Sequence, residues 1–411
     1  MRILMVSGIY LPVIGGTELH VQILATELRR RGHDVAVATL GDGKLPRFRV
    51  EEGLPVYRLD GWSRVLRPFY TDPARRFPPP VPDLALSRAL TRICRERQIQ
   101  IVHAHDWMLY SVLPIKRLAG VRVAMTLHDF SLSCIKQTYL NHRKVCTGRA
   151  FLKCVRCASE QYGSARAAGL AAGLYSVRPL NRLVDQFISV SSAVAEAGRA
   201  DGVIPDGPIE IIPSPVKTDV SALPDRPSFL PPHDGYLLFV GALSRHKGID
   251  VLLEAYAELG RDVSLVLIGT PRDDTPRVLP AGITLVTNIP HSQVMAAWSR
   301  CSVGVVPSVC PEGFGKTAVE AMACGRPVVA SAVGGLAEIV VDGKTGILCP
   351  PGDPQSLRNA IRRLLDDPSL ATAMGKAGRD RAPLYATEAV GNEVERVFQE
   401  LLASPSRKAA S

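Results

Sequence analysis

Residues 311–325 read PEGFGKTAVEAMACG, and three phosphate-site patterns overlap within them. The run GFGKT ends like a P-loop, and Gly313, Gly315 and Ala318 have the spacing of a dinucleotide fingerprint. Glu312 and Glu320 pair two carboxylates across seven residues. A P-loop needs G-x-x-x-x-G-K-[ST], and Cys310 stands where its first glycine belongs, so that match fails. The fingerprint's first glycine should come straight off a strand. Here Cys310, Pro311 and Glu312 intervene, and the spacing is set aside as glycine usage. What the three patterns share survives. A strand-like run, VGVVPS (303–308), passes through a glycine-bearing loop into a helix expected from about Gly315. Unpaired amides and the positive end of a helix dipole are thereby offered to an anion.

Working outward, strand-like and helix-like runs alternate almost throughout, which predicts parallel α/β layers. RILMVS leads to a helix from about Thr17, then DVAVATL; further strands are expected at IVHAH (101–105), VRVAMTL (121–127) and QFISVSS (186–192). Val21, Leu24, Ala25 and Leu28 form one apolar stripe on the first helix, Arg29, Arg30 and Arg31 favour its negative end, and Gly32 supplies a left-handed stop. A proline-rich passage reads as a connection, after which YLLFVGAL, VSLVLIG, ITLVTNI, VGVVPS and PVVAS restart the alternation. The expected architecture is two Rossmann-like parallel-sheet domains facing a cleft. The domains span 1–213, with a cysteine-containing insertion at 130–160, and 233–385. Residues 214–232 link them, and 386–411 form a C-terminal helix, packing back on the first domain, and a tail. Open parallel sheets bind ligands at the carboxyl ends of their strands.

The bulk numbers fit this. The 411 residues suffice for two cores, and 46% hydrophobic with 21% charged residues is the composition of a globular protein. The apolar start is too short for a signal peptide or membrane span, so a cytoplasmic protein is expected, and its nine cysteines are not expected to form a disulfide framework. A net charge of +10 admits anionic partners, but the basic residues are dispersed and carry no nucleic-acid signature. One stretch, WSRVLRPFYTDPARRF (62–77), alternates arginines with aromatics and could touch an anionic membrane from its cytoplasmic side.

Around the opening stretch other elements gather. FVGALSRHKGIDVLLEAY (239–256) places Arg245 and Lys247 in a loop between strand and helix. SAVGGLAEIVVDGKTGIL (331–348) follows downstream, and SGIYLPVIGGTELHV sets Gly15 and Gly16 before the first helix. Together they resemble the family 4 retaining glycosyltransferases, which have the GT-B fold, over nearly the whole chain. The E-x7-E segment with its GG-x-x-E follower is the most specific part. The resemblance implies transfer of a sugar from a nucleotide diphosphate sugar, with UDP favoured over GDP, to an acceptor hydroxyl. It implies retained configuration and no metal or other cofactor for catalysis. Residue by residue, it implies that Glu312 touches the donor sugar and that Glu320 holds the ribose. Gly313, Phe314, Gly315 and Thr317 would line the sugar and phosphate region, with Gly241 and Ile289 nearby. Lys247 and Arg245 would neutralise the diphosphate. Gly15 and Gly16 would approach the phosphates or acceptor, His128 would face the donor sugar, and His105 with Asp106 would contact the acceptor. The family's V-G-R-L run departs here, with Ala242 in place of arginine. No D-x-D pair occurs, which fits a metal-independent donor site.

Other readings stay open: a glycoside hydrolase using Glu312 and Glu320 as acid and base, a nicotinamide dehydrogenase, or an inactive nucleotide-sugar sensor. The acceptor is read as a glycan, a lipid-linked glycan or a small molecule, and the oligomeric state is unread. Cys134, Cys146, Cys154 and Cys157 crowd together and end in C-V-R-C. They read either as a structural zinc site or as unligated thiols.

Overall fold

The computed structural model describes residues 1–13, 15–62, 78–141, 144–233, 235–260, 263–276 and 278–404. They form two compact units. One comprises Met1–His142, Cys146–Pro215 and Thr387–Ser411; the other comprises Val216–Ala386 with the short piece Arg143–Val145. The proline-rich passage from Val216 onward therefore belongs with the second unit, and the last helix with the first.

The first unit holds an eight-stranded sheet in the order Ile209–Ile211, Gln186–Ser189, Arg122–Leu127, Ile101–Ala104, Arg2–Val6, Asp34–Leu40, Leu54–Leu59, Phe48–Glu51. Every pairing is parallel except the last, an edge hairpin. Its turn at Glu52 and Gly53 has positive φ at both residues (49° and 81°), the mirror-image turn that matches strand twist. The alternation along Arg2–Val6 feeds two cores: Leu4 and Val6 face one, Ile3 and Met5 the other. Helix Gly16–Arg30 lays Val21, Leu24, Ala25 and Leu28 on the Ile3 side. Helix Thr387–Ala403 joins them there with Val390, Val394, Val397 and Phe398. Arg31 ties the two helices by ion pairs to Glu27 and Glu395. Gly32, at φ 88°, ends the first helix in the left-handed conformation.

The second unit holds a six-stranded, all-parallel sheet: Ile283–Val286, Leu265–Ile268, Leu237–Val240, Val303–Val306, Val328–Ser331, Gly346–Cys349. Among the parallel strands of each sheet the order reverses once. The reversal lies between Arg2–Val6 and Ile101–Ala104 in the first unit, and between Leu237–Val240 and Val303–Val306 in the second. Crevices at the carboxyl ends of such strand pairs are where open parallel sheets take ligands.

Candidate active site

In the second unit both loops at the reversal are locked by backbone contacts. Gly248 has φ 76°, and a Cβ there would lie 1.9 Å from the Pro307 carbonyl oxygen. The amides of Val309 and Cys310 both donate to the His246 carbonyl, at 3.0 and 3.2 Å. This zipper sets Lys247 opposite Glu312: the ammonium donates to Oε1 at 2.6 Å and Oε2 at 2.8 Å. The Ser308 hydroxyl donates to the same carboxylate. Burial alone would raise the Glu312 pKa, but the Lys247 charge and these hydrogen bonds hold it below the ordinary glutamate range. The Lys247 ammonium is likewise held charged, with Glu312 outweighing the effect of burial.

The Gly334-Gly335 pair explains itself at this loop. Gly335 donates to the Glu312 carbonyl at 2.8 Å. A Cβ on Gly334 would sit 2.3 Å from that oxygen, and one on Gly335 2.6 Å from the Phe314 carbonyl oxygen. Only bare backbone fits. Gly315 precedes the helix Lys316–Ala323 at φ 122°, its missing Cβ leaving room for Leu336. Phe314 is buried edge-on against Tyr385, at 5.6 Å between ring centres, and presents no ring surface to a ligand. Thr317 is half-buried in the first helical turn, and Gly313 is half-buried beside Glu312.

Glu320 is buried. Its Oε1 lies 2.9 Å from His291 Nε2, and its Oε2 accepts from the Trp298 indole at 3.2 Å. The hydrogen bond to Glu320 raises the His291 pKa. Ile289 is half-buried just before that histidine. Arg245 is exposed; its amide donates to Asp274 at 2.8 Å, and among the described residues its side chain has no ion pair within 4 Å. Gly241 (φ 155°) ends its strand where the Gly269 backbone crosses: a Cβ on Gly269 would lie 1.7 Å from the Gly241 carbonyl oxygen.

In the first unit a pocket opens at the reversal, lined in part by Ser7, Thr17, Glu18, His105, Asp106 and Asp129. Asp106 is the clamp of this pocket. One carboxylate oxygen accepts from the Gly8 amide and the Ser7 hydroxyl, the other from the Met108 amide at 2.8 Å. Burial pushes its pKa up to about 6. With both oxygens engaged by its own loops, Asp106 positions Ser7 and Gly8. His105 is buried and held neutral, its pKa driven well down by burial and by neighbouring imidazoles. Its Nδ1 lies 2.9 Å from His128 Nε2. His20, which the sequence reading passed over, completes the cluster. Its ring centre is 4.4 Å from that of His128, and its Nδ1 is 3.1 Å from the Ser214 hydroxyl. The ligand nitrogens of these three histidines come within 4.8 Å of one another, a grouping that could hold a metal ion.

Gly15 caps the first helix in extended conformation, and a Cβ on it would collide with the Glu18 carboxylate. Gly16, the first helical residue, has no atom within 4 Å of where a Cβ would stand. Gly16→Ala is therefore expected to leave thermal stability unchanged or raise it by up to about 1 kcal/mol. If substrate approaches this backbone, the same change lowers turnover about tenfold or more. Melting curves with steady-state kinetics separate the two effects.

Among the described residues no helix is long and apolar enough to cross a membrane. Beyond Trp62, the arginine-aromatic stretch lies outside the described residues. The four clustered cysteines line a single pocket of the first unit, though more widely than the three histidines group.

Comparison with known proteins gives this geometry a family. Residues 14–220 match the model described as Glycosyltransferase Family 4, and residues 225–381 match Glycosyl transferases group 1. A D-inositol 3-phosphate glycosyltransferase of Corynebacterium diphtheriae is 27% identical over 93% of this chain and 89% of its own length. Sucrose-phosphate synthase of Thermosynechococcus elongatus superposes with a TM-score of 0.77 at 24% identity, covering 98% of this chain and all of that one. HepE of Anabaena, solved with UDP-glucose, superposes with a TM-score of 0.66 at 19% identity, covering 97% of this chain and all of its own. The fold is the GT-B architecture of these enzymes. With both halves matched by the two models, the chain belongs to the family 4, group 1 glycosyltransferases.

Proposed function

We propose that the second unit binds a nucleoside diphosphate sugar, UDP-linked in preference to GDP-linked. The sugar passes to an acceptor hydroxyl with retained anomeric configuration and without a metal ion. The observation that carries this reading is the Lys247–Glu312 pair, set beside the amide end of helix Lys316–Ala323. Negative charge grows on the departing diphosphate at the transition state, and a fixed ammonium with oriented amides lowers that barrier. Glu312, held ionised, acts only as an acceptor and orients sugar hydroxyls. For the same reason it is a poor general acid, which weighs against the two-carboxylate hydrolase. Glu320 takes the ribose hydroxyls in exchange for His291, the more exposed of its two partners. The acceptor oxygen attacks from the face the phosphate leaves. Its proton passes to the departing phosphate oxygen as the sugar–phosphate bond breaks and the new glycosidic bond forms.

The HepE complex supports a UDP donor. The relative named for inositol 3-phosphate supports a polyol or glycan hydroxyl as acceptor. In the first unit the half-buried His128, 2.9 Å from the neutral His105, would hydrogen-bond a sugar hydroxyl. A panel of UDP- and GDP-sugars in thermal melts tests the reading. At about a hundredfold excess over Kd, a matching UDP-hexose adds about 2.7 kcal/mol of stability. Glu320→Gln is expected to weaken that donor about tenfold, and NMR of the product should show the donor's own anomer. A melt indifferent to every nucleotide sugar, or an inverted product, refutes it.

A further inference from the structure

The four cysteines at 134, 146, 154 and 157 stand apart from the glycosyl-transfer chemistry and from the other five. Cys94, Cys301, Cys310, Cys324 and Cys349 are buried. The four are half-buried, and all line one small pocket of about 20 Å³ after the strand that ends near His128. Their surroundings are unusual for idle thiols. Cys134 opens a tight turn, its carbonyl accepting from the Gln137 amide at 3.0 Å. Around that turn the chain holds two non-glycine residues, Gln137 (φ 65°) and Tyr139 (φ 51°), in the left-handed region. That conformation is uncommon outside glycine and marks a site that the surroundings over-determine. Cys154 and Cys157, one turn apart on helix Phe151–Tyr162, share a face of that helix. The remaining contacts are weak: Cys146 donates to the Gly148 carbonyl at 3.3 Å, and Cys157 to the Leu140 carbonyl at 3.4 Å. Three cations, Lys136, Arg149 and Lys153, line the same pocket, and Lys153 Nζ lies 3.5 Å from the Cys146 sulfur.

Four thiols about one pocket with cations on its walls are what a doubly negative tetrathiolate centre requires. We infer that Cys134, Cys146, Cys154 and Cys157 bind one structural zinc ion. Zinc–sulfur bonds of about 2.3 Å in a tetrahedron bring the sulfurs to roughly 3.8 Å apart. The sulfurs ring the pocket more widely than this, since no three of them group within 4.8 Å. Binding draws them inward by side-chain rotation, releases the thiol protons to solvent, and leaves the metal redox-silent. The centre is closed, with no free coordination position, so its work is to staple the chain at Cys134 and Cys146 to the helix Phe151–Tyr162. It differs from any metal held by the three histidines, which a coordination test resolves.

Full-length protein purified without chelator from zinc-supplemented cells should carry about one zinc per chain by elemental analysis. Exchange with Co²⁺ should give the intense near-ultraviolet absorption of cobalt–thiolate bonds. Cys157→Ser should lower zinc content at least about tenfold, while Cys349→Ala, in the other unit, keeps the full equivalent. If Cys157→Ser fails to fold, the cobalt spectrum of the unaltered protein decides. Zinc below about a tenth of an equivalent with no cobalt–thiolate band in reduced protein overturns the inference. So does zinc that survives Cys157→Ser.

Discussion

Lys247→Met should reduce turnover about a thousandfold and, separately, destabilise the second unit by roughly 2–4 kcal/mol. On the proposed mechanism the catalytic loss follows from removing a fixed ammonium that would meet the departing diphosphate; deleting a single preorganised donor typically costs 10²–10³ in rate. The stability loss has another origin. Glu312 is 14% exposed at its side chain, and among the described residues it keeps, without Lys247, only Ser308 as a side-chain donor. Breaking one side of a buried pair costs about 3–5 kcal/mol, reduced here because Lys247 is itself 31% exposed. The sign of the pH dependence follows. Because its pKa in the folded protein is lowered, the stability Glu312 contributes is fully present above the ordinary glutamate range and is lost as pH falls below it. In Lys247→Met burial is left to raise the Glu312 pKa, so the acid-side loss should disappear and stability should instead fall as pH rises through the glutamate range. Adding Glu312→Gln should restore most of the stability and none of the activity. Denaturant melts across pH with single-turnover kinetics read both, and a stable but inactive single variant would mean the pair does not hold the fold.

Gly248→Ala should be among the most damaging changes available in the chain that touch no ligand. The new Cβ would stand 1.9 Å from backbone oxygen rather than from a side chain that can turn away, and φ 76° disfavours any L-residue. Clash and strain together are expected to cost about 3–5 kcal/mol. For a domain of this size that lowers the melting midpoint by about 10 °C. Since the same contact seats Lys247 opposite Glu312, donor-induced stabilisation should vanish in whatever folded protein remains. An unchanged melt would show that the two loops can part freely.

The architecture was legible because parallel strands buried on both faces write themselves as short apolar runs. VLIG and VVAS needed no context, whereas Ile209–Ile211 and the Phe48–Glu51 hairpin, at sheet edges, carry weaker patterns. Glu312 was singled out by its spacing from Glu320, Lys247 by its loop between strand and helix and by the resemblance, and the glycine loops because close backbone approach leaves glycine in the sequence as its trace. Glu320 stood out by spacing too, but its burial against His291 and Trp298 did not, because those partners arrive from a different helix. His20 was hidden differently. It lies within an apolar helical stripe, where periodicity reads it as packing, and only folding brings it to His105 and His128. Ser308 had no signal beyond its place at a strand's end.

The helix Thr387–Ala403 has a consequence for biosynthesis. Val390, Val394 and Phe398 help complete a core whose members outside this helix all precede Val216, with Val216–Ala386 of the second unit encoded between them. On the ribosome the second unit can close first, while Ile3, Leu24 and Leu28 wait with one flank open until Phe398 has emerged. The nascent first unit thus passes through synthesis with an oily seam exposed, which makes it the half most in need of a chaperone's cover.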